Sequence, residues 1–219
     1  MSKRGINYRV FILIFLMAGL FLNGCSNNEY ELREKAYQAY GRYLRECCEE
    51  DNYTRDNIKY TLAFIDNDNI PEMVVSLGNS HATGVKVFFY DPEEAKVVDT
   101  GEVYGENGGI YYYPKQSCIL DYHFGQGVGN ECFCKITDDY KCLRSEWYSQ
   151  RLADEEGNLI YYIDFTEVSD EEYQTMHDED ASGLRDTVSI ERESMKGNYE
   201  IISSDKADDM FEEMFKKCS

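Results

Sequence analysis

The apolar positions change period twice along this chain. Over 29–50, "EYELREKAYQAYGRYLRECCEE", Leu32, Ala36, Tyr40, Tyr43 and Cys47 recur at spacings of four and three, with charged residues between them. That spacing predicts an amphipathic helix with one apolar stripe. Gly41 costs it about 1 kcal/mol relative to Ala, and Asp51 and Asn52 end it. From Lys59 the pattern becomes short runs rich in Val, Ile, Tyr and Phe: "KYTLAFID", "EMVVSLG", "VKVFFYD", "KVVDTGEV", "GIYYYP", "SCILDYHF", "ECFCKIT", "KCLRSEWYS" and "LIYYIDF". Turn residues bound each run, as they bound strands. The joints "NDNIP", "DPEEA", "GENGG", "GQGVG", "TDDY" and "DEEGN" are too short for crossover helices, so an antiparallel meander is expected.

The helical period then returns. Ser169, with Glu172 three positions on, opens "SDEEYQTMHDED" as a capping box opens a short helix. Residues 178–197 are polar and read as a loop, and "NYEIIS" reads as a last strand. In "SDKADDMFEEMFKKCS", Ala207, Met210, Phe211, Met214, Phe215 and Cys218 form a final helical stripe. Asp205, Asp208 and Asp209 lie at its start and Lys216 and Lys217 at its end, the arrangement that a helix macrodipole favours. Terminal helices around a β-meander predict an α+β domain over 30–219. A partial propeller-like β domain is the alternative.

The first residues follow another logic. Lys3, Arg4 and Arg9 precede an uncharged apolar run, Val10 to Leu22, which is short for a span of ~20 residues. A basic start, a short apolar stretch and small residues at its end mark residues 1–24 as an export signal. The end, "LNGC", resembles a bacterial lipobox through Leu22, Gly24 and Cys25, although Asn23 departs from the usual small or apolar residue. The resemblance implies a lipid on Cys25, a tether over 25–29 and attachment to the outer face of a membrane. Two or more acyl chains hold such an anchor stably. An ordinary cleaved export peptide is the alternative. Ser26, where an Asp is absent, fits a Gram-positive host.

Charge and cysteine content narrow the partners. The 219 residues carry a net charge of −20, and removing residues 1–24 takes away three positive charges, leaving −23. Such a body repels nucleic acid and anionic lipid. Of the 8 cysteines, Cys25 is the anchor and seven remain, so a fully paired framework is excluded. No C-x-x-C occurs, which removes zinc-ribbon spacing. Cys132 and Cys134, two apart in a strand, share a face, and Cys118 and Cys142 on flanking strands are expected within reach. Disulfides and buried thiols both remain open.

The candidate chemistry lies in "AFIDNDNIPEMVV", Ala63 to Val75. Alternating acidic residues in a tight turn supply the oxygens that calcium needs. Against D-x-[DN]-x-D-G-x-x-E, Asp66 takes the third position, Asp68 the fifth, Asn69 the glycine position and Glu72 the ninth. Asn tolerates left-handed backbone and is expected to replace the glycine. Phe64 falls where the first Asp belongs. The stretch resembles the strand–turn–strand hairpin of FG-GAP/VCBS-type extracellular repeats, which recurs in Gram-positive gut lipoproteins with a lipobox, an N-terminal helix and tyrosine-rich strands such as "GGIYYYP". The resemblance implies a cell-surface lipoprotein with a calcium loop; a turn held by Asx hydrogen bonds is the alternative.

Other constellations are weaker. Ser80–His81, His123 with Asp121, and Cys118 suggest a hydrolase triad, but no nucleophile elbow accompanies them. "GQGVG" lies between strands and reads as a hairpin. Tyr111 and Tyr113 alternate with Tyr112, so one face offers rings to a sugar, as do Tyr161, Tyr162 and Trp147. Asp138–Asp139 and Glu155–Glu156 read as solvent-facing charge rather than glycosidase pairs. The expectation is a lipid-anchored surface protein that binds a protein or glycan without catalysis and possesses no nucleic-acid partner, with calcium its one candidate cofactor. A carbohydrate or cell-wall module and a hydrolase with an unrecognised site are the alternatives.

Overall fold

A computed structural model of the protein describes residues 29–48, 57–152, 157–202, 204 and 206–218. The export signal, Cys25, Asp51, Asn52 and the Glu155–Glu156 pair lie outside the described residues. Among the described residues, no helix is long and apolar enough to cross a membrane.

The fold is α+β, with antiparallel sheets and helices at both ends. Helix α1 covers 29–48. Strands β1 (Lys59–Ala63), β2 (Glu72–Ser76), β3 (Val85–Asp91) and β4 (Lys96–Asp99) form a meander. A second sheet holds β5 (Ile110–Tyr113), β6 (Cys118–Gly125), β7 (Val128–Ile136), β8 (Cys142–Arg144), β9 (Tyr148–Leu152), β10 (Leu159–Ile163) and β11 (Thr166–Val168). Helix α2 (Asp170–Asp180), β12 (Val188–Ile190), β13 (Gly197–Asn198), α3 (Tyr199–Ile202) and α4 (Ala207–Cys218) complete the chain. The small sheet runs β13-β1-β2-β3-β4 and the large one β11-β10-β9-β7-β6-β5-β12, with β8 attached to β7.

Side-chain parity turns these sheets into four layers. Tyr60, Leu62, Met73, Val75, Phe88 and Tyr90 pack against Ala36, Tyr40 and Leu44 of α1 and Phe211 and Met214 of α4. The alternate residues Val74, Val85, Val87 and Phe89 face Tyr104, Ile110, Tyr112, Ile119 and Cys134 of the large sheet and its approach. The outer face of the large sheet places Cys118, Phe133, Tyr148 and Ile163 beneath Tyr173 of α2. All five β2 residues are therefore buried, which explains an unbroken apolar run where a one-sided strand would alternate.

Several expectations change. The buried ridge of α1 runs through Ala36, Tyr40, Leu44 and Cys48, one position round from Cys47. "KCLRSEWYS" is two strands, because the Ser145 hydroxyl accepts the Phe133 N–H at 2.9 Å and interrupts the ladder. The polar segment 178–197 contributes β12 to the large sheet and β13 to the small one. Between them Arg192, buried, donates to the Ser76 hydroxyl at 2.9 Å and to the Asn57 carbonyl. Of "NYEIIS", Asn198 ends β13 and Tyr199–Ile202 form a helical turn, since the Asn198 side chain accepts the Ile201 N–H at 3.0 Å and caps it. Ser169 caps α2 as expected, accepting the Glu172 N–H at 3.2 Å.

Candidate metal centre

The turn between β1 and β2 is held by its own acidic side chains. Asp66 Oδ1 accepts the Asp68 N–H at 2.9 Å, and Asp68 Oδ1 accepts the Ile70 N–H at 2.6 Å. These are consecutive Asx turns. Glu72, the first residue of β2, folds back so that Oε2 accepts the N–H groups of Ile65 at 2.6 Å and Asp66 at 3.2 Å. The bonds use one oxygen of each carboxylate. One oxygen from each of Asp66, Asp68 and Glu72 lies within 4.8 Å of the others. Calcium binds oxygens at about 2.3–2.6 Å, so two ligands on opposite sides of it stand about 5 Å apart. The cluster has the size of a calcium shell with three anionic corners.

Its electrostatics are unfavourable without a cation. Glu72 is 2 % exposed. Burial raises its pKa, the Asp66 charge adds to the rise, and the Ile65 N–H opposes it. Asp66 is raised to about 6, chiefly by burial, against a hydrogen bond from the Asp68 N–H. The charge is felt nearby. Tyr40, which donates to the Pro71 carbonyl at 3.2 Å, has its phenol raised by burial and then by Glu72, Asp68 and Asp66.

Two parts of the expected motif fall elsewhere. Asn69 is not among the residues with positive φ, so it does not act as the left-handed glycine substitute. Its oxygens face cations of the protein: the side chain accepts from Lys115 Nζ at 3.0 Å and the carbonyl from Arg33 Nε at 2.9 Å. Asn69 thus joins the turn to α1 and to the loop after β5, rather than to the carboxylates. Phe64, at the missing first Asp, packs edge-on against Phe215 of α4, ring centres 5.8 Å apart. Lys115 Nζ lies 4.8 Å from its ring centre.

A second charged cluster, which no local motif signals, centres on Asp121 of β6. Asp121 is 2 % exposed. Oδ1 accepts the Gly105 N–H at 2.7 Å and lies 3.0 Å from His123 Nε2, and Oδ2 accepts from Arg144 at 2.7 Å. Arg144 also reaches Glu102 at 3.0 Å and the Cys132 thiol. Burial opposes ionisation of Asp121, but the bonds from His123, Gly105 and Arg144 outweigh it and hold its pKa below the usual range.

The triad does not assemble. Cys118 pairs with Lys135 across the sheet, whereas Asp121 pairs with Cys132; the thiol and the carboxylate therefore point to opposite faces. Ser80 hydrogen-bonds within its own turn, to Thr83. The same parity bears on the cysteines. Cys134 and Cys142 form a disulfide, while Cys118 and Cys132 are buried free thiols. Cys118, expected within reach of Cys132 and Cys134, is on the other face. "GQGVG" is the β6–β7 hairpin, with Gln126 and Gly127 at φ 52° and 79°. Tyr112 and Tyr113 are buried, but Tyr111 and Phe124 are exposed. Tyr111 meets Tyr122 edge-on at 5.8 Å. The two tyrosines line a cleft of about 240 Å³ with Glu106, Asn107 and Glu191.

No family model, curated protein or solved structure matches this chain.

Proposed function

We propose that this chain is a non-enzymatic binding domain, lipid-anchored through Cys25 on the outer face of a membrane, whose acidic turn takes a calcium ion. The observation that carries the calcium reading is the convergence of Asp66, Asp68 and Glu72 within 4.8 Å, in a place where burial and mutual repulsion already disfavour the charges of Asp66 and Glu72. A cation that binds only the folded state stabilises it by mass action. Because α1, β1, β2 and α4 all touch this turn, the ion would stiffen the end of the domain that adjoins the tether.

Calcium titration of the full chain in detergent, by calorimetry and thermal melting, tests this. The expected result is a rise in Tm that Asp66→Asn and Asp68→Asn each abolish. No rise at millimolar calcium would leave the turn as an Asx-bonded hairpin only. Incorporation of labelled lipid, lost in Cys25→Ala, tests the anchor.

The exposed rings favour one further reading, a glycan-binding face at Tyr111, Tyr122 and Phe124. Aromatic faces stack on sugars, and Glu106, Asn107 and Glu191 offer hydrogen bonds beside them. Retention on cell-wall glycan that falls in Tyr111→Ala supports it; equal retention of wild type and variant excludes it.

A further inference from the structure

Helix α2 covers only one end of the large sheet's outer face, where it lies over Phe133, Tyr148 and Ile163. Tyr111, Tyr122 and Phe124 share that face. Leu120 pairs with both Tyr111 and Phe133, and Tyr122 pairs with Glu131, two positions from Phe133. These rings lie beyond the cover, with Tyr111 42 % and Phe124 52 % exposed. Tyr122 and Phe124 stand two positions apart on β6, about 6.6 Å along the strand. Opposite Phe124, Gly129 brings no side chain to the face. A Cβ there would meet Tyr122 Oη at 3.4 Å and Phe124 Cδ2 at 3.9 Å. The rings therefore form an open, shallow row.

The row ends in the cleft of about 240 Å³ that Tyr111 and Tyr122 line together with Glu106, Glu191 and Glu193. Glu191 and Glu193 are exposed. Arg192 also lines the cleft, but its guanidinium is turned inward. It donates to the Ser76 hydroxyl at 2.9 Å and to the Asn57 carbonyl. Lys59 bonds the Arg192 carbonyl at 3.4 Å and does not line the cleft. The imidazoles of His81 and His123 stand 3.4 and 3.9 Å from Glu106 Oε2, so the negative surplus rests with Glu191 and Glu193. The same potential reaches the rings. The Tyr122 phenol is raised by burial, then by Glu131, Tyr111 and Glu106.

Charge decides which glycan fits. Three carboxylates repel an anionic glycan, and a neutral one uses them only as hydrogen-bond acceptors. A protonated amine gains more. It carries three N–H donors, it is attracted to the face of a tyrosine ring, and its charge complements the cleft. The cleft is smaller than the ~300–1,000 Å³ of sites that enclose a whole small molecule. It therefore receives one unit of a chain whose other units cross the open rings. We infer that this face takes a glycan carrying free amino groups, whose ammonium the Glu191 and Glu193 carboxylates receive beside Tyr111 and Tyr122. The inference rests on the glycan reading of the same rings and names the class of sugar.

The probes are a short glucosamine oligomer and its N-acetylated counterpart, each titrated into the full chain in non-ionic detergent at low salt. The amine form should bind more tightly and should lose affinity as salt is added. Glu191→Gln combined with Glu193→Gln should weaken the amine form about tenfold and leave the acetylated form unchanged. Tyr111→Ala should weaken both. Glu171→Gln combined with Glu172→Gln, at exposed positions of α2, removes the same charge and should change neither. Equal losses in the two double variants would mean that net charge alone attracts the amine, which overturns the inference. Acetylated oligomer that binds as tightly as the amine form also overturns it, while the glycan reading survives if Tyr111→Ala weakens both. Binding of neither form ends both readings. Glu191 and Glu193 are on the surface, so their variant remains informative even if Tyr111→Ala misfolds.

Discussion

Glu72 and Asp121 are equally buried, each 2 % exposed, yet their surroundings drive them in opposite directions. Around Asp121 the protein supplies a guanidinium, an imidazole and an amide N–H, and the carboxyl is held below its usual range. Around Glu72 it supplies two amide N–H groups and two further carboxylates, and the carboxyl is raised. Desolvation alone predicts the same outcome at both sites; the sign of the neighbouring charge decides. Asp121 is a completed ion-pair network. The Glu72 cluster is a negative surplus that only a proton or an added cation relieves.

The sharpest way to break this comparison is to neutralise each carboxylate in turn. Asp121→Asn leaves Arg144 without its buried partner and should destabilise the fold by about 3 kcal/mol, read as a lower Tm at neutral pH. Glu72→Gln should do the reverse in calcium-free buffer. The amide oxygen can still accept from Ile65, and the new N–H₂ can donate to Asp66 or Asp68. Removing a charge that burial and the neighbouring Asp66 both disfavour should raise the Tm. The same variant should lose its response to calcium. If Glu72→Gln destabilises as much as Asp121→Asn, the turn is self-sufficient and the calcium reading fails with it.

The two clusters also differ in how visible they are in the amino-acid sequence. Asp66, Asp68 and Glu72 fall within one hairpin, so their convergence was legible from spacing. So were the strands and the terminal helices, whose apolar period is local. Asp121, Arg144 and Glu102 come from three separate segments, and no spacing relates them; the pairing of β6 with β7 and of β7 with β8 brings Asp121 and Arg144 together. The same limit hid β12 and β13, short polar strands whose partners β5 and β1 lie far back in the chain. It also misplaced Cys118, because its face depends on the parity of β6 against β7. Asn69 departs from its expected place for another reason: Arg33 and Lys115, both remote in sequence, claim its oxygens.

A pH series separates the clusters next, with a smaller effect. Asp66 has a folded pKa of about 6 against 3.8 in the unfolded chain. The folded state then binds more protons between those values, so stability falls as pH rises from about 4 to about 6 and is level above. Asp121 behaves oppositely. Its folded pKa is below 3.8, so its contribution is present above pH 4 and is lost as pH falls through the depressed value. Melting of wild type against Asp66→Asn in calcium-free buffer should show a difference that shrinks below pH 6. Calcium, by keeping Asp66 ionised, should flatten that dependence. A difference that is constant from pH 4 to pH 7 would mean that Asp66 is not strained by its neighbours.

The smallest effect concerns the cation nearest the acidic turn. Lys115 lowers the pKa of Asp66 through space, but its ammonium bonds Asn69 rather than a carboxylate. That makes it a weak counterpart of Arg144, which grips Asp121 directly. Lys115→Met should therefore cost less than about 1 kcal/mol in calcium-free buffer. It should also tighten calcium binding, because the ion no longer shares the turn with a positive charge. Opposite signs in the two measurements are the point of the experiment. A loss of both stability and calcium affinity would mean that Lys115 shapes the turn through Asn69, and that the backbone rather than the net charge governs the site.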